Sequence, residues 1–337
     1  MGLYRAAVRP AFFALPPEAA HRLANRMLDL PLPWERIGAA VRDPALELEL
    51  MGIPLANPVG LAAGFDKTCA HLGSLGRLGF GFVVGGTITR RPRAGNPKPR
   101  IARYPSRGSM VNAMGLPNPG AEVAARTLAR TRRTSARLVS IADEGVREVL
   151  EAHALLEPHV DGVELNASCP NVAWGRDRDN EAHLEELLQA LAGQRSKPLL
   201  VKLPPFRTAV EREVVTALAR VAVAGGADGL VCSNTLPVAD RHLATGAGGL
   251  SGAALFPWTL RIVEQVRDAI DGAIPIVACG GISRPEQVLG CLAAGAVAVQ
   301  VYTGLVFHGP RLVGELTAGI VPRGPRDPSE LRGTSAG

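Results

Sequence analysis

Asp161-Gly-Val-Glu-Leu-Asn-Ala-Ser-Cys-Pro-Asn171 holds two kinds of residue side by side. Residues 161–165 read as a buried strand, a short apolar run with no breaker inside it. Residues 166–171 read as the loop that leaves the strand's C-terminal end, and they crowd two carboxamides, a thiol and a proline together. Asn166 and Asn171 can each donate and accept hydrogen bonds to a planar polar ligand. Cys169 between them can act as a base or nucleophile once its thiol is ionised. Taken alone, the stretch would equally describe a turn with a small buried cysteine. What precedes and follows it decides the reading.

The same pattern, an apolar run ending in ligand-type residues, recurs along the chain. Strands are predicted near 58–63, 81–86, 137–142, 162–166, 199–203, 229–233, 274–279 and 296–301. Helical periodicity separates most of them, at 144–156, 183–191, 209–224, 257–270 and 285–294. Eight strands alternating with helices over about 250 residues predict an α/β fold of the (β/α)8 TIM-barrel type rather than an open doubly wound sheet. No G-x-G-x-x-G opens a helix after the first strand, which argues against a dinucleotide-binding domain. In such a barrel the C-terminal strand ends converge on the active site. Those ends carry Gly64-Phe-Asp-Lys67, Thr87, Asn166, Lys202, Ser233-Asn234-Thr235, Gly280-Gly281 and Tyr302-Thr303-Gly304.

Several of these positions suggest chemistry. Gly280-Gly281 and Tyr302-Thr303 follow strands seven and eight, where this fold usually binds phosphate on exposed backbone N–H groups; tight turns are the plainer alternative. Gly249-Leu-Ser251-Gly252 adds small residues before the next helix. A lysine at a strand end, as Lys67 and Lys202 are, can stabilise an anion electrostatically. Asn112-Ala-Met114-Gly115-Leu116-Pro-Asn118 offers an amide and backbone N–H groups that could hold a carboxylate.

Composition narrows the classes further. The chain has 337 residues, 47% hydrophobic, 20% charged and 4% aromatic, with a net charge of +6. Basic pairs such as Arg90-Arg91 and Arg132-Arg133 lack interleaved aromatics, so nucleic-acid binding is not expected. The five cysteines include no C-x-x-C pair, which predicts neither a disulfide framework nor a metal site and fits a reducing cytosol. No signal peptide or spanning helix is expected. Residues 1–45 read as a helical preface, with Ala20, Leu23, Ala24 and Met27 along one stripe of a helix; a packing helix over the bottom of the barrel is the plainer alternative. The barrel is placed at 46–322, and 323–337 is expected to be disordered, being rich in Gly, Pro, Ser and charge.

Five motifs together resemble the dihydroorotate dehydrogenase family: Asn57-Pro-Val-Gly-Leu-Ala-Ala-Gly-Phe-Asp-Lys67, Gly95-Asn-Pro-Lys-Pro-Arg100, Asn166-Ala-Ser-Cys-Pro-Asn171, Gly249-Leu-Ser-Gly252 and Tyr302-Thr-Gly304. The resemblance runs over nearly the whole chain. It implies an FMN enzyme that oxidises dihydroorotate to orotate in pyrimidine synthesis, with a base removing the C5 proton while hydride leaves C6. Carried over residue by residue, it implies Cys169 as the base and Lys67 as a bridge between flavin and substrate. Asn112, Asn166, Asn171, Asn234 and Thr235 fall at substrate positions, beside the Met114-Gly115-Leu116 loop. Ala63, Gly64, Thr87, Ser140, Asn166 and Lys202 fall at flavin positions. So do Ser233, Ser251, Gly252, Gly280, Gly281, Tyr302 and Thr303.

The family divides by electron acceptor, and this chain carries marks of both divisions. Its N-terminal extension and Gly64-Phe-Asp-Lys67 turn resemble the quinone-reducing, membrane-associated class, and His21 and Arg103 fall at that class's quinone positions. That class uses a serine base, has Asn where Ser140 stands, and does not carry the run Val172-Ala-Trp-Gly-Arg-Asp-Arg-Asp179 or Cys69. Cys169 and the Met114-Gly-Leu-Pro-Asn118 loop resemble the soluble class instead. The resemblance therefore implies electron transfer to a quinone at the cytoplasmic side of a membrane, with the protein peripherally docked. The alternatives are a cytoplasmic enzyme using fumarate or another dihydropyrimidine-like substrate, and a flavin-binding protein that has lost catalysis. A thiol, with a reference pKa of about 8.5, is far more acidic than a serine hydroxyl, so Cys169 is expected to take the proton directly as a thiolate.

Overall fold

The structure is a computed structural model and describes residues 4–167 and 180–321. Cys169, Asn171 and the run Val172–Asp179, together with the 323–337 tail, lie outside the described residues.

Eight parallel strands close into a barrel, numbered β1 to β8 in chain order. They are β1 (Val59–Leu61), β2 (Phe82–Ile88), β3 (Ala136–Ile141), β4 (Gly162–Asn166), β5 (Leu199–Lys202), β6 (Gly229–Cys232), β7 (Ile276–Cys279) and β8 (Ala298–Val301). Each pairs with the next in sequence, and β8 closes on β1 through Val299↔Val59 and Val301↔Leu61. Covered on both faces, these strands are apolar almost throughout, as buried parallel strands must be. Helices Val146–Leu156, Asn180–Ala192, Ala209–Ala224, Phe256–Ala269 and Pro285–Ala293 return the chain between strands. The predicted strands and these helices are all present, with ends shifted by a few residues.

The lower interior of the barrel is apolar, filled by Phe82, Val84, Leu138, Leu200, Val231 and Val277. A hairpin of Leu48–Leu50 and Ile53–Leu55 closes it from below, and its Leu50, Ile53 and Leu55 join that cluster. Met51 and Gly52 both have positive φ in its turn, matching the twist of a two-residue hairpin.

Beyond the C-terminal ends of the strands lies a second, antiparallel sheet of Leu236–Ala239, Ala247–Gly252, Ser109–Asn112 and Ile101–Tyr104. Two excursions build it, one after β2 and one after β6, joined by the register Gly249↔Asn112 to Gly252↔Ser109.

The first helices of the preface sit at this upper end, whereas Gly38 and Ala40 lie against Leu78 and Gly79, just ahead of β2. The plainer alternative, a helix over the bottom of the barrel, does not describe helix Pro17–Leu28, since the hairpin closes that end. Helix Pro17–Leu28 rests against the Ile101–Tyr104 strand. Glu18 is gripped by Arg100, whose Nε and Nη2 donate to Glu18 Oε1 at 3.1 and 2.8 Å. Before it, the turn Tyr4–Val8 and helix Arg9–Ala14 lie along Thr303–His308, where the Tyr4 hydroxyl donates to Val306 O at 2.8 Å and Arg5 pairs with Glu315 at 2.8 Å.

Candidate active site

A cavity of about 1070 Å³ opens at the C-terminal end of the barrel beneath the antiparallel sheet. It collects nearly all the residues singled out in the described part of the chain. Ala63, Gly64 and Lys67 line it from the β1 end, and Thr87, Asn166 and Lys202 from β2, β4 and β5. Ser233, Asn234 and Thr235 come from the β6 end, and Gly280, Gly281, Tyr302 and Thr303 from the β7 and β8 ends. The excursions supply Asn112, Met114, Gly115 and Leu116, and also Ser251 and Gly252. Three positions lie off the wall. Ser140 is fully buried one step behind, its hydroxyl 3.0 Å from Thr87 Oγ1. His21 and Arg103 belong to the preface and its contact strand.

Polar groups along the wall hold one another in place. Asn166 Nδ2 donates to Thr87 Oγ1 at 3.3 Å, and Asn234 Nδ2 donates to Asn166 Oδ1 at 3.4 Å. The Asn234 carboxamide also accepts from the Thr235 N–H at 2.7 Å. Asn112, the last residue of its strand, donates to Gly249 O at 3.4 Å across the sheet. These side chains thus present carboxamide edges from three elements to one space. Lys67 enters from a turn shaped by Asp66, which accepts from Thr68 N, Thr68 Oγ1 and His71 N; its Nζ donates to Gly64 O at 2.5 Å.

The opposite end is small and rich in hydroxyl and backbone groups. Thr303 Oγ1 donates to Ser251 Oγ at 2.9 Å. Gly252 has φ +91°, and a Cβ there would fall 2.4 Å from Gly108 O; Gly281 has φ +72°, and its Cβ would fall 2.5 Å from Phe256 N. Only glycine permits this close approach of loops.

Two residues at the floor were not singled out from the sequence, Glu164 and Gln300. Both are buried inside strands, Glu164 entirely. Lys202 Nζ lies 3.5 Å from Glu164 Oε1 and 3.4 Å from Gln300 Oε1, and Gln300 Nε2 donates to Glu164 Oε2 at 3.0 Å. Burial opposes the Lys202 charge, but the negative charge facing it, which near neutral pH is that of the Glu164 carboxylate, outweighs burial, so its pKa stands above the ordinary lysine value. Cys279, which also lines the cavity, has its thiol pushed up by burial and held protonated. The available signal was a polar residue inside a buried run, as in Gly-Val-Glu164-Leu and Ala-Val-Gln300-Val.

On the preface side, the Phe65 ring bridges inward and outward. It meets Tyr302 edge-on at 5.3 Å and His21 edge-on at 5.5 Å. Burial, with Lys67 and His71 close by, pushes His21 down to about 4, so the ring is neutral near pH 7. Arg103 donates to Phe12 O and Phe13 O, both at 3.2 Å, and to Leu15 O at 2.5 Å, and it stacks over Phe13 at 4.6 Å.

A closed barrel with a large cavity at its C-terminal face, a buried cation at the floor and carboxamides along the wall defines an α/β-barrel enzyme site. Comparison with known proteins makes the class specific. The dihydroorotate dehydrogenase family model matches residues 45–322. "Dihydroorotate dehydrogenase (quinone)" of Bordetella pertussis is 37% identical, covering 91% of this chain and 94% of its own. The protein of the same name from Methylococcus capsulatus is 36% identical, over 93% and 98%. Among solved structures, ligand-free DHODH of Eimeria tenella superposes with a TM-score of 0.79 at 29% identity, covering 90% of this chain and 94% of that one. The same protein in complex with ferulenol gives 0.77 at 28% identity, over 90% of each chain. The chain belongs to the dihydroorotate dehydrogenase family.

Proposed function

We propose that this chain is an FMN-dependent dihydroorotate dehydrogenase that oxidises dihydroorotate to orotate and passes the electrons to a quinone. The convergence of Lys67, Lys202, Asn112, Asn166 and Asn234 on one cavity carries the reading, in a chain that matches quinone-type relatives over nearly its whole length. The donor set fits the cofactor. Lys202, Thr87 and Asn166 offer a cation and hydrogen bonds to a polar ring edge, and Ser251, Thr303 and the backbone around Gly280-Gly281 suit a phosphate. FMN, when bound, supplies the hydride acceptor.

The chain's own residues bind, orient and move the proton. Asn112, Asn166 and Asn234 match the amide and carbonyl edges of a dihydropyrimidine ring, and the Met114-Gly115-Leu116 loop with Lys67 suits its carboxylate. Asn171 and Cys169, outside the described residues, complete the set as a fourth carboxamide and the base that takes the C5 proton. Cys169 is the reverse of Cys279: a base must reach its thiolate near neutral pH.

For the acceptor, the path from Tyr302 through Phe65 to His21 leads out of the cavity to the preface, and Arg103 knits the preface together beside it. The preface exposes Leu15, Leu23, Met27 and Leu30, each at least 37% exposed, next to the exposed Arg22 and Arg26. Such a surface favours peripheral docking on anionic lipid at the cytoplasmic face. Among the described residues no helix is long and apolar enough to span a membrane. Residues 1–45 are thus read as the quinone and membrane unit.

The second reading keeps the cavity and changes the acceptor to fumarate, favoured by Cys169 and the Met114-Gly-Leu-Pro-Asn118 loop. Steady-state assays with dihydroorotate separate the two. Turnover with ubiquinone or menaquinone analogues and little with fumarate or NAD is expected; turnover with fumarate alone would remove the quinone step.

A further inference from the structure

The interior of the barrel changes character one layer above the hairpin. Below, Leu138, Leu200, Val277 and Ala298 are apolar. Above them stand Ser140, Glu164, Lys202 and Gln300, in strands that are otherwise mostly Val, Leu, Ile and Ala. A carboxylate with no solvent exposure in such a place is costly unless it is paired and hydrogen-bonded. Glu164 meets that condition through both oxygens, one to Lys202 at 3.5 Å and the other to Gln300 at 3.0 Å. Gln300 in turn accepts from Lys202 at 3.4 Å. The three side chains form a closed triangle from β4, β5 and β8, and Lys202 and Gln300 also line the cavity.

The triangle is more than the fold requires. An apolar layer would fill the same space at least as stably, since replacing a buried ion pair by hydrophobic residues is often neutral or stabilising. A lysine alone would have its charge stripped by burial. We propose that Glu164 is a positioning residue for the cofactor: with Gln300 it fixes the Lys202 ammonium at the cavity floor and keeps it charged, so that electron density arriving on the ring is stabilised there. The inference rests on the flavin reading above. Other titratable or charged groups near Lys202, among the described residues, are Cys279 of β7, with Cys232 of β6 behind it, and Lys67 at the opposite wall. Both thiols are pushed up by burial and stay neutral, and β3 and β2 contribute the hydroxyls of Ser140 and Thr87. Among these groups Glu164 is therefore the one whose negative charge can balance Lys202 at neutral pH.

The test is the midpoint potential of the bound flavin, measured against pH by spectroelectrochemistry on the purified holoprotein, for the parent, Glu164→Gln, Lys202→Gln and the double variant. Glu164→Gln is expected to lower the potential in the same direction as Lys202→Gln, because a cation facing the ring favours the electron-rich state. It should also introduce a break with pH that the parent lacks, the potential recovering on acidification as the ammonium is restored. The double variant should match Lys202→Gln alone. Flavin content and melting temperature show whether each variant is folded and loaded; Glu164→Asp, which keeps the charge, should stay nearer the parent and serves if Glu164→Gln does not fold. A potential that is unchanged or raised in a flavin-loaded Glu164→Gln, or additive shifts in the double variant, overturns the inference. A parent protein that binds no flavin overturns the reading beneath it, and the inference with it.

Discussion

At the scale of single residues, the cavity separates cysteines by environment. Cys69 and Cys232 are fully buried, and burial drives both thiols up; Cys279 reaches the cavity but is likewise held neutral. Cys291 is buried behind the strands with its thiol pushed up to about 12; none of these four is a thiolate near neutral pH, which leaves Cys169 as the thiol proposed for that task. Replacing it with Ala should leave flavin bound and slow flavin reduction by dihydroorotate by about 100- to 10,000-fold, the usual contribution of a general base. Stopped-flow reduction under anaerobic conditions measures this directly, and reduction at the parent rate would remove Cys169 from the mechanism. The sequence showed the carboxamides and Lys67 because they stand in loops or at the very ends of strands, where an apolar run gives way to polar residues. Glu164 and Gln300 stayed hidden because they lie within strands, and a single polar residue in an apolar run looks like noise until a partner from another strand is seen.

At the scale of elements, the eight barrel strands were legible for one physical reason. A parallel strand covered on both faces is an unbroken apolar run, and its boundary with the polar loop is sharp. The antiparallel sheet above was not legible. Every residue of Ile101–Tyr104 is only half-buried, and Asn112 and Gly249, which meet across that sheet, are 137 residues apart. The preface could be seen as helix, but its seat could not, because the Arg100–Glu18 grip spans 82 positions. That seat is acid-sensitive. Burial pushes His21 to about 4 and His308, beside Arg5 and Arg9, to about 4, against 6.5 for a free histidine. Each folded ring refuses a proton that the unfolded chain accepts. The stability this provides is present above about pH 6.5 and drains as the pH falls toward 4. Lowering the pH from about 7 to about 5 should therefore loosen residues 4–28 before the barrel. Hydrogen exchange would show their amides losing protection first, with quinone turnover declining ahead of flavin reduction. Uniform protection across both regions would contradict it.

At the scale of the whole molecule, the chain is organised around two ends of one cavity. A hairpin closes the barrel from below, and the cavity lies at the upper face. There the antiparallel sheet and the preface meet, and the rings of Tyr302, Phe65 and His21 join the cavity wall to the exposed apolar surface of the first helices. Substrate and acceptor are thereby assigned to different sides of the same cofactor site. The most direct test is an anaerobic titration of the purified, yellow protein with dihydroorotate, followed by a quinone analogue. The account predicts that the flavin absorbance bleaches on adding dihydroorotate and returns on adding quinone. A yellow protein that dihydroorotate leaves unbleached would contradict it and favour a flavin-binding role without this catalysis.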